Sequence, residues 1–217
     1  MTDTLLSPTF LFRFSVPFRQ TDWPDDVGQV ELTNRYTLPS FGELEGRPLF
    51  ADVRGGWHPD GLVFSTTVQG KKQPAWCRHT RLEDSDGLRV WIDTRDAHNI
   101  HRANRFCHQF VFLPSGGGRS MIDPVAEWVA INRARENPKT VAKGALQVTA
   151  NRQHDGYRLR ALIHASALTG FDPTDHLRLG FSYAVVDREL GWQTLSVGPE
   201  FPIVEDPSLW GTLEMGK

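Results

Sequence analysis

The sequence predicts an all-β fold. The expected form is a single-domain, jelly-roll-like β-sandwich of two mostly antiparallel sheets with one short helical element. Three observations predict it. Short runs of alternating apolar residues recur along the chain, separated by Gly, Asp and Pro turn signals. No internal repeat and no linker-like stretch divides the 217 residues, a length that suits one large domain. Apolar residues make up 39% and charged residues 23%, which supports a sizeable core and excludes wholesale disorder.

Residues 1–49 read as an irregular segment, because Pro8, Pro17, Pro24, Pro39 and Pro48 interrupt runs such as Phe10–Phe14. From residue 50 the pattern turns to strands. Leu62, Phe64, Thr66 and Val68 share one face of a run, and Leu88, Val90 and Ile92 share one face of the next. Strict alternation of this kind predicts half-buried strands. His108–Leu113 is apolar on both faces for most of its length and predicts a central strand. Ser115-Gly116-Gly117-Gly118-Arg119 predicts a flexible turn; it lacks the lysine and the strand–helix context of a phosphate loop. Asp123-Pro124 reads as the start of a short helix through Glu136, with Asp as N-cap and Pro in the first turn, and an irregular strand as the alternative. Ala145–Ala150 and Tyr157–Ile163 read as neighbours across the turn Arg152–Gly156. Ala165–Leu168 predicts a helical turn closed by Gly170, and Leu177–Val186 alternates again.

Several function classes are disfavoured. A net charge of −2 argues against a general nucleic-acid binder. No apolar run approaches the ~18 residues of a membrane span. The opening residues show no secretory signal, and only two cysteines are present, so a cytoplasmic setting is slightly favoured. Two cysteines, Cys77 and Cys107, exclude a disulfide scaffold or a four-cysteine zinc site; two buried free thiols are expected, with one bridge as the alternative.

Four segments, in order, resemble family 9 carbohydrate-binding modules and the wider DOMON-like sandwich group. They are Trp57-His58-Pro59-Asp60-Gly61-Leu62-Val63-Phe64, Asp86-Gly87-Leu88-Arg89-Val90-Trp91-Ile92-Asp93, Gly156-Tyr157 through Leu179-Gly180-Phe181 to Val186-Asp187, and Asp206-Pro207-Ser208-Leu209-Trp210-Gly211-Thr212-Leu213. The resemblance spans roughly residues 50–214. It implies a non-catalytic ligand-binding module, a carbohydrate partner and room for calcium, although no cofactor is read from the residues themselves. Trp57 and Trp210 are expected to be apolar plugs, and Asp93 and Asp187 to bind turn backbone. The resemblance to modules of secreted enzymes also pulls against a cytoplasmic setting.

In the sugar-binding members two tryptophans clamp a sugar ring. The matching positions here are Glu83 and Val204. The family's polar partners correspond to Arg89, Val111 and about Phe201. None matches, so sugar binding in the familiar mode is not expected. Trp76, just upstream of Glu83, can supply an aromatic wall if the loop is reshaped.

The stretch Asp93–His108 packs three His, three Arg, two Asp and one Cys into sixteen residues. Arg95, Arg102 and Arg105, helped by His98 and His101, would bind carboxylates or sulfates as forks. His98, His101 and His108, with Cys107 or Asp96, form a candidate metal set. The candidate ligand-binding residues are therefore Trp76, Glu83, Arg89, Arg95, His98, His101, Arg102 and Arg105. The expected function is glycan binding, acidic or neutral. A protein-interaction or structural domain is the alternative, and a metal protein ranks third. No catalytic residue is expected: Glu83 and Asp84 are adjacent, so in a strand they face opposite sides, and Ser166 near His164 lacks a nucleophile-elbow motif.

Overall fold

The computed structural model describes Phe10, residues 12–47 and residues 49–216. Their strands are β1 (Ser15–Arg19), β2 (Ala51–His58), β3 (Gly61–Val68), β4 (Gly87–Asp93), β5 (Cys107–Gly117), β6 (Asp123–Val129), β7 (Leu146–Gln153), β8 (Gly156–His164), β9 (Arg178–Asp187), β10 (Gly191–Thr194) and β11 (Gly211–Gly216). They form two sheets. The larger runs β1-β11-β9-β4-β5-β6, with β10 also paired to β9, and the smaller runs β2-β3-β8-β7. Every pairing is antiparallel except β1 with β11. This is the all-β sandwich expected.

The alternating residues meet between the sheets. Leu62, Phe64 and Val68 of β3 pack against Leu88, Val90 and Ile92 of β4, Phe110 and Phe112 of β5 and Phe181 of β9. Phe64 and Phe181 stack with ring centroids 6.0 Å apart. Burying each such side chain stabilises the fold by roughly 1.5–3 kcal/mol before entropy is counted. Trp57 and Trp210 plug the structure, with their indole N–H groups donating to Gly216 O at 3.1 Å and Ile203 O at 2.8 Å.

Three local expectations are corrected. Strands β3 and β4 are not half-buried: β4 is buried along its whole length. Its outward Trp91 is covered by Val197, Ile203 and Trp210, while Val63 of β3 is covered by Val30, Leu32 and Tyr36 from the N-terminal segment. That segment is also not wholly irregular. Val16 and Phe18 alternate inward along β1, and Pro17 is tolerated because β1 is an edge strand. Finally, Asp123–Val129 is a strand beside β5, with Leu113 opposite Val125 and Gln109 opposite Val129. The period of two wins there. Val125 and Val129 pack with Val111 and Leu113 on the outer face, while Ala126 and Trp128 pack on the inner core. The helical turn expected near residue 165 is present as a 3-10 turn over Ala165–Ala167, and both cysteines are free thiols, Cys107 buried and Cys77 half-buried.

Candidate functional site

A cleft of about 530 Å³ lies where β9 ends and β4 begins, lined by Trp76, Arg81, Glu83, Asp84, Val186, Asp187, Arg188 and Trp192. Its floor is a buried ion cluster. The Lys71 ammonium lies 3.2 Å from Asp86 Oδ2 and also donates to Asp187 Oδ2. All three residues are buried. Burial opposes the Lys71 charge, but the two carboxylates outweigh it and hold the pKa above the ordinary lysine value.

The same carboxylates shape the loops above. Asp86 Oδ2 accepts from the Trp76 N–H at 2.9 Å, and Asp86 Oδ1 accepts from the Arg188 N–H at 2.9 Å. The Asp86 N–H returns a bond to Trp76 O at 2.9 Å. Asp187 Oδ1 accepts from the N–H groups of Glu189 and Leu190. One buried cluster therefore fixes both the loop that carries Trp76 and the turn that carries Arg188.

Glu83 stands on a 3-10 turn over Leu82–Asp84, and Arg89 holds that turn from below. Its Nη2 donates to the carbonyls of Leu82 and Glu83 at 2.8 Å and of Ser85 at 3.1 Å. The guanidinium also lies 5.6 Å from the Trp192 ring centre. Burial pulls its pKa down to about 10, partly offset by nearby anionic groups. Arg89 is 3% exposed, so it positions the cleft wall and does not reach into solvent. Arg89→Lys keeps the charge but loses the fork. The expected outcome is a loss of about 1–2 kcal/mol, seen in urea unfolding, with faster amide exchange at Glu83 and Asp84. Unchanged exchange there would refute this positioning role.

The cleft presents two half-buried indoles and a polar rim. The Arg188 guanidinium lies 4.4 Å from the Trp76 ring centre, with Arg78 and Arg81 at 5.8 and 5.9 Å. Arg81 also pairs with Asp84, both exposed. Such a rim supplies acceptors and forked donors beside flat apolar faces.

The other sequence candidates lie elsewhere. Arg95 Nη1 donates to Gly170 O at 2.6 Å and Thr94 O at 3.1 Å, and its guanidinium lies 4.5 Å from the Phe106 ring centre. Arg105 also stacks on Phe106, at 5.0 Å, and lies 3.9 Å from Glu136. Arg102 Nε donates to Arg133 O at 2.8 Å. The three arginines therefore do not converge on one anion. Asp93 binds turn backbone, accepting from the N–H groups of Arg95 and Ala97.

The histidines divide as well. His98 Nε2 lies 2.8 Å from Asp96 Oδ1 and 2.9 Å from Thr212 Oγ1. His101 lies at the surface beside Asp206 and Ser208. His108 is fully buried beside Phe110. Among the described residues no group of three or more His, Cys, Asp or Glu side chains is placed to hold a metal ion. His98, His101 and His108 are thus not brought together as a metal set. Ser208 and Asp206 both meet His101 at the same nitrogen, Nδ1, at 3.1 Å. A serine hydrolase relay needs the two partners on opposite ring nitrogens.

Sequence reasoning missed Arg81, Asp84, Arg188 and Trp192. A signal existed for Trp192, which follows Gly191 just after the turn that ends β9.

No protein-family model matches the chain, and no curated protein matches it. Solved structures do resemble it. A family 9 carbohydrate-binding module from Caldicellulosiruptor kristjanssonii, in complex with cellotriose, aligns with TM-score 0.61 at 12% identity, covering 93% of each chain. The structure of such a module with glucose aligns with TM-score 0.62 at 12% identity, over 94% of this chain and 96% of that one. A protein from Bacteroides uniformis ATCC 8492 aligns with TM-score 0.56 at 12% identity, over 94% of this chain and 100% of that one. The chain has the fold of family 9 carbohydrate-binding modules.

Proposed function

We propose that this chain is a non-catalytic saccharide-binding module whose ring-binding surface is the cleft between Trp76 and Trp192. The observation that carries the reading is the joint placement of two half-buried indoles and a rim of Arg81, Glu83, Asp84 and Arg188 around one cleft. Indole faces pack on the C–H faces of a pyranose, and carboxylates and guanidinium forks bind vicinal hydroxyls. The solved family 9 modules of the same fold, in complexes with cellotriose and glucose, support this class of ligand.

Glu83, at the position of one family clamp tryptophan, lines the cleft. Val204, at the other, packs into the apolar cluster of Trp91, Val186 and Trp192. In this reading the stacking role has passed from the family positions to two new tryptophans nearby. Arg188 is exposed, so an incoming ring displaces it from the Trp76 face and leaves it at the rim as a donor.

The test is titration calorimetry against neutral mono- and oligosaccharides. Trp76→Ala and Trp192→Ala are each expected to weaken binding about tenfold, the scale of one well-packed aromatic contact, with the fold intact by circular dichroism. Full binding by both variants would refute the cleft. Silence of the parent protein across the panel would favour a protein-contact role, for which Met121 and Ile122, 36% and 70% exposed, are two adjacent apolar side chains at the surface.

A further inference from the structure

The Asp93–His108 stretch is not used by the Trp76–Trp192 cleft, yet it borders two hollows of its own. One, of about 340 Å³, lies toward the other end of β9 and is lined in part by Phe12, Arg13, His98, His101, Ser196 and Ser208. No acidic side chain lines it among the described residues. Its neighbour, of about 450 Å³, shares His101 and adds Arg102, Arg133 and Glu205.

The carboxylates around these hollows are already engaged. Asp96 is taken by His98 at 2.8 Å, Thr212 Oγ1 at 2.9 Å and Arg178 at 3.1 Å. Asp206 accepts from Ser208 N–H at 2.9 Å and Ser208 O–H at 2.6 Å, and faces His101 at 3.1 Å. Glu205 accepts from Asn132 at 2.6 Å and lies 3.9 Å from Arg133. Arg13 and Arg102, by contrast, have no carboxylate partner among the described residues. Phe12, 64% exposed, lines the same hollow as Arg13. Forked cations with no carboxylate partner among the described residues, one of them in the same hollow as an exposed aromatic ring, suit a ligand that combines a carboxylate with a flat apolar ring surface.

We propose that these two hollows, which meet at His101, bind a hexuronate oligosaccharide, with one ring on Phe12, its carboxylate on Arg13 and His101, and the next carboxylate on Arg102. The site shares no residue with the Trp76–Trp192 cleft and stands or falls separately from it.

The test is titration calorimetry of the full chain with hexuronate trimers of the galacto, gluco and manno series, each beside its neutral counterpart. At least one uronate trimer is expected to bind, more weakly as NaCl rises. The Arg13→Ala/Arg102→Ala double variant should weaken it at least tenfold at an unchanged melting temperature, while Trp76→Ala leaves it unaltered. Failure of every uronate trimer to bind would overturn the proposal. So would equal binding of the neutral trimers by a Trp76→Ala/Trp192→Ala variant, in which the cleft is disabled, or full uronate binding by the Arg13→Ala/Arg102→Ala variant. Displacement by sodium sulfate at the same concentration as the trimer would show a bare anion site and overturn the saccharide assignment.

Discussion

Replacing Lys71 with methionine is expected to cost the protein about 3–5 kcal/mol of stability, the scale for removing one partner of a buried ion pair. The side-chain length is nearly kept, so packing loss is small. What remains is two buried carboxylates, Asp86 and Asp187, facing each other without a cation. The measurement is urea unfolding of both proteins at pH 7. A loss below about 1 kcal/mol would show that the cluster is screened like a surface pair. The triple variant Lys71→Met/Asp86→Asn/Asp187→Asn should recover much of the loss. At 187 the asparagine Oδ1 still accepts the backbone N–H groups of Glu189 and Leu190, at 86 it keeps one of the two N–H groups of Trp76 and Arg188, which Asp86 holds on separate oxygens, and no charge is left buried.

The pH dependence of this effect has a definite sign. The folded pKa of Lys71 is raised, so its contribution is complete below the unfolded lysine value of about 10.4 and fades as pH rises through the folded value. Parent and Lys71→Met stabilities should therefore converge in alkali. The cluster also ties stability to the cleft, because Asp86 holds both Trp76 and Arg188. Lys71→Met is accordingly expected to weaken saccharide binding without touching a lining side chain other than Asp187.

The strands were legible wherever one period alone fitted. Leu62–Val68 and Leu88–Asp93 alternate strictly, and their inward residues form the core. Strand β6 was ambiguous, because Val125, Trp128 and Val129 satisfy a helical spacing as well as a period of two. Only the edge of β5, which needs a partner for its backbone groups, decides between them. Strand β1 was hidden by Pro17, which reads as a break until the strand is known to lie at an edge. The cleft was half legible. Trp76 and Glu83 are near in sequence, whereas Arg188 and Trp192 join them only through the pairing of β4 with β9 and of β9 with β10. Lys71 gave no signal at all. A lysine beside another lysine in a polar loop reads as solvated, and its partner Asp187 lies 116 residues away. Pairings of that range are set by topology, which local patterning does not encode.

The second large effect is on acid stability. His108 is fully buried and stacks on Phe110 with ring centroids 5.9 Å apart. Burial pushes its pKa down to about 4, offset only in part by the backbone of Thr169. In the unfolded chain the imidazole titrates near 6.5. Between those values the unfolded state binds the extra proton, so His108 favours the fold above about pH 6.5 and that advantage is lost as pH falls toward 4. The full swing is on the order of 3 kcal/mol. His98, whose pKa burial also lowers, adds a loss of the same sign. Asp93, whose pKa burial raises, acts in the opposite direction. The difference between the parent and a His108→Phe variant isolates the one group. The two stabilities should lie close at pH 7 and diverge by on the order of 3 kcal/mol at pH 4, with the variant the more stable. Parallel curves in urea unfolding from pH 7 to pH 4 would show that the buried imidazole does not set the acid limit. The same pair of proteins separates two causes of acid-sensitive ligand binding. A loss that His108→Phe repairs comes from unfolding, and a loss that it leaves in place comes from protonation at the binding surface itself.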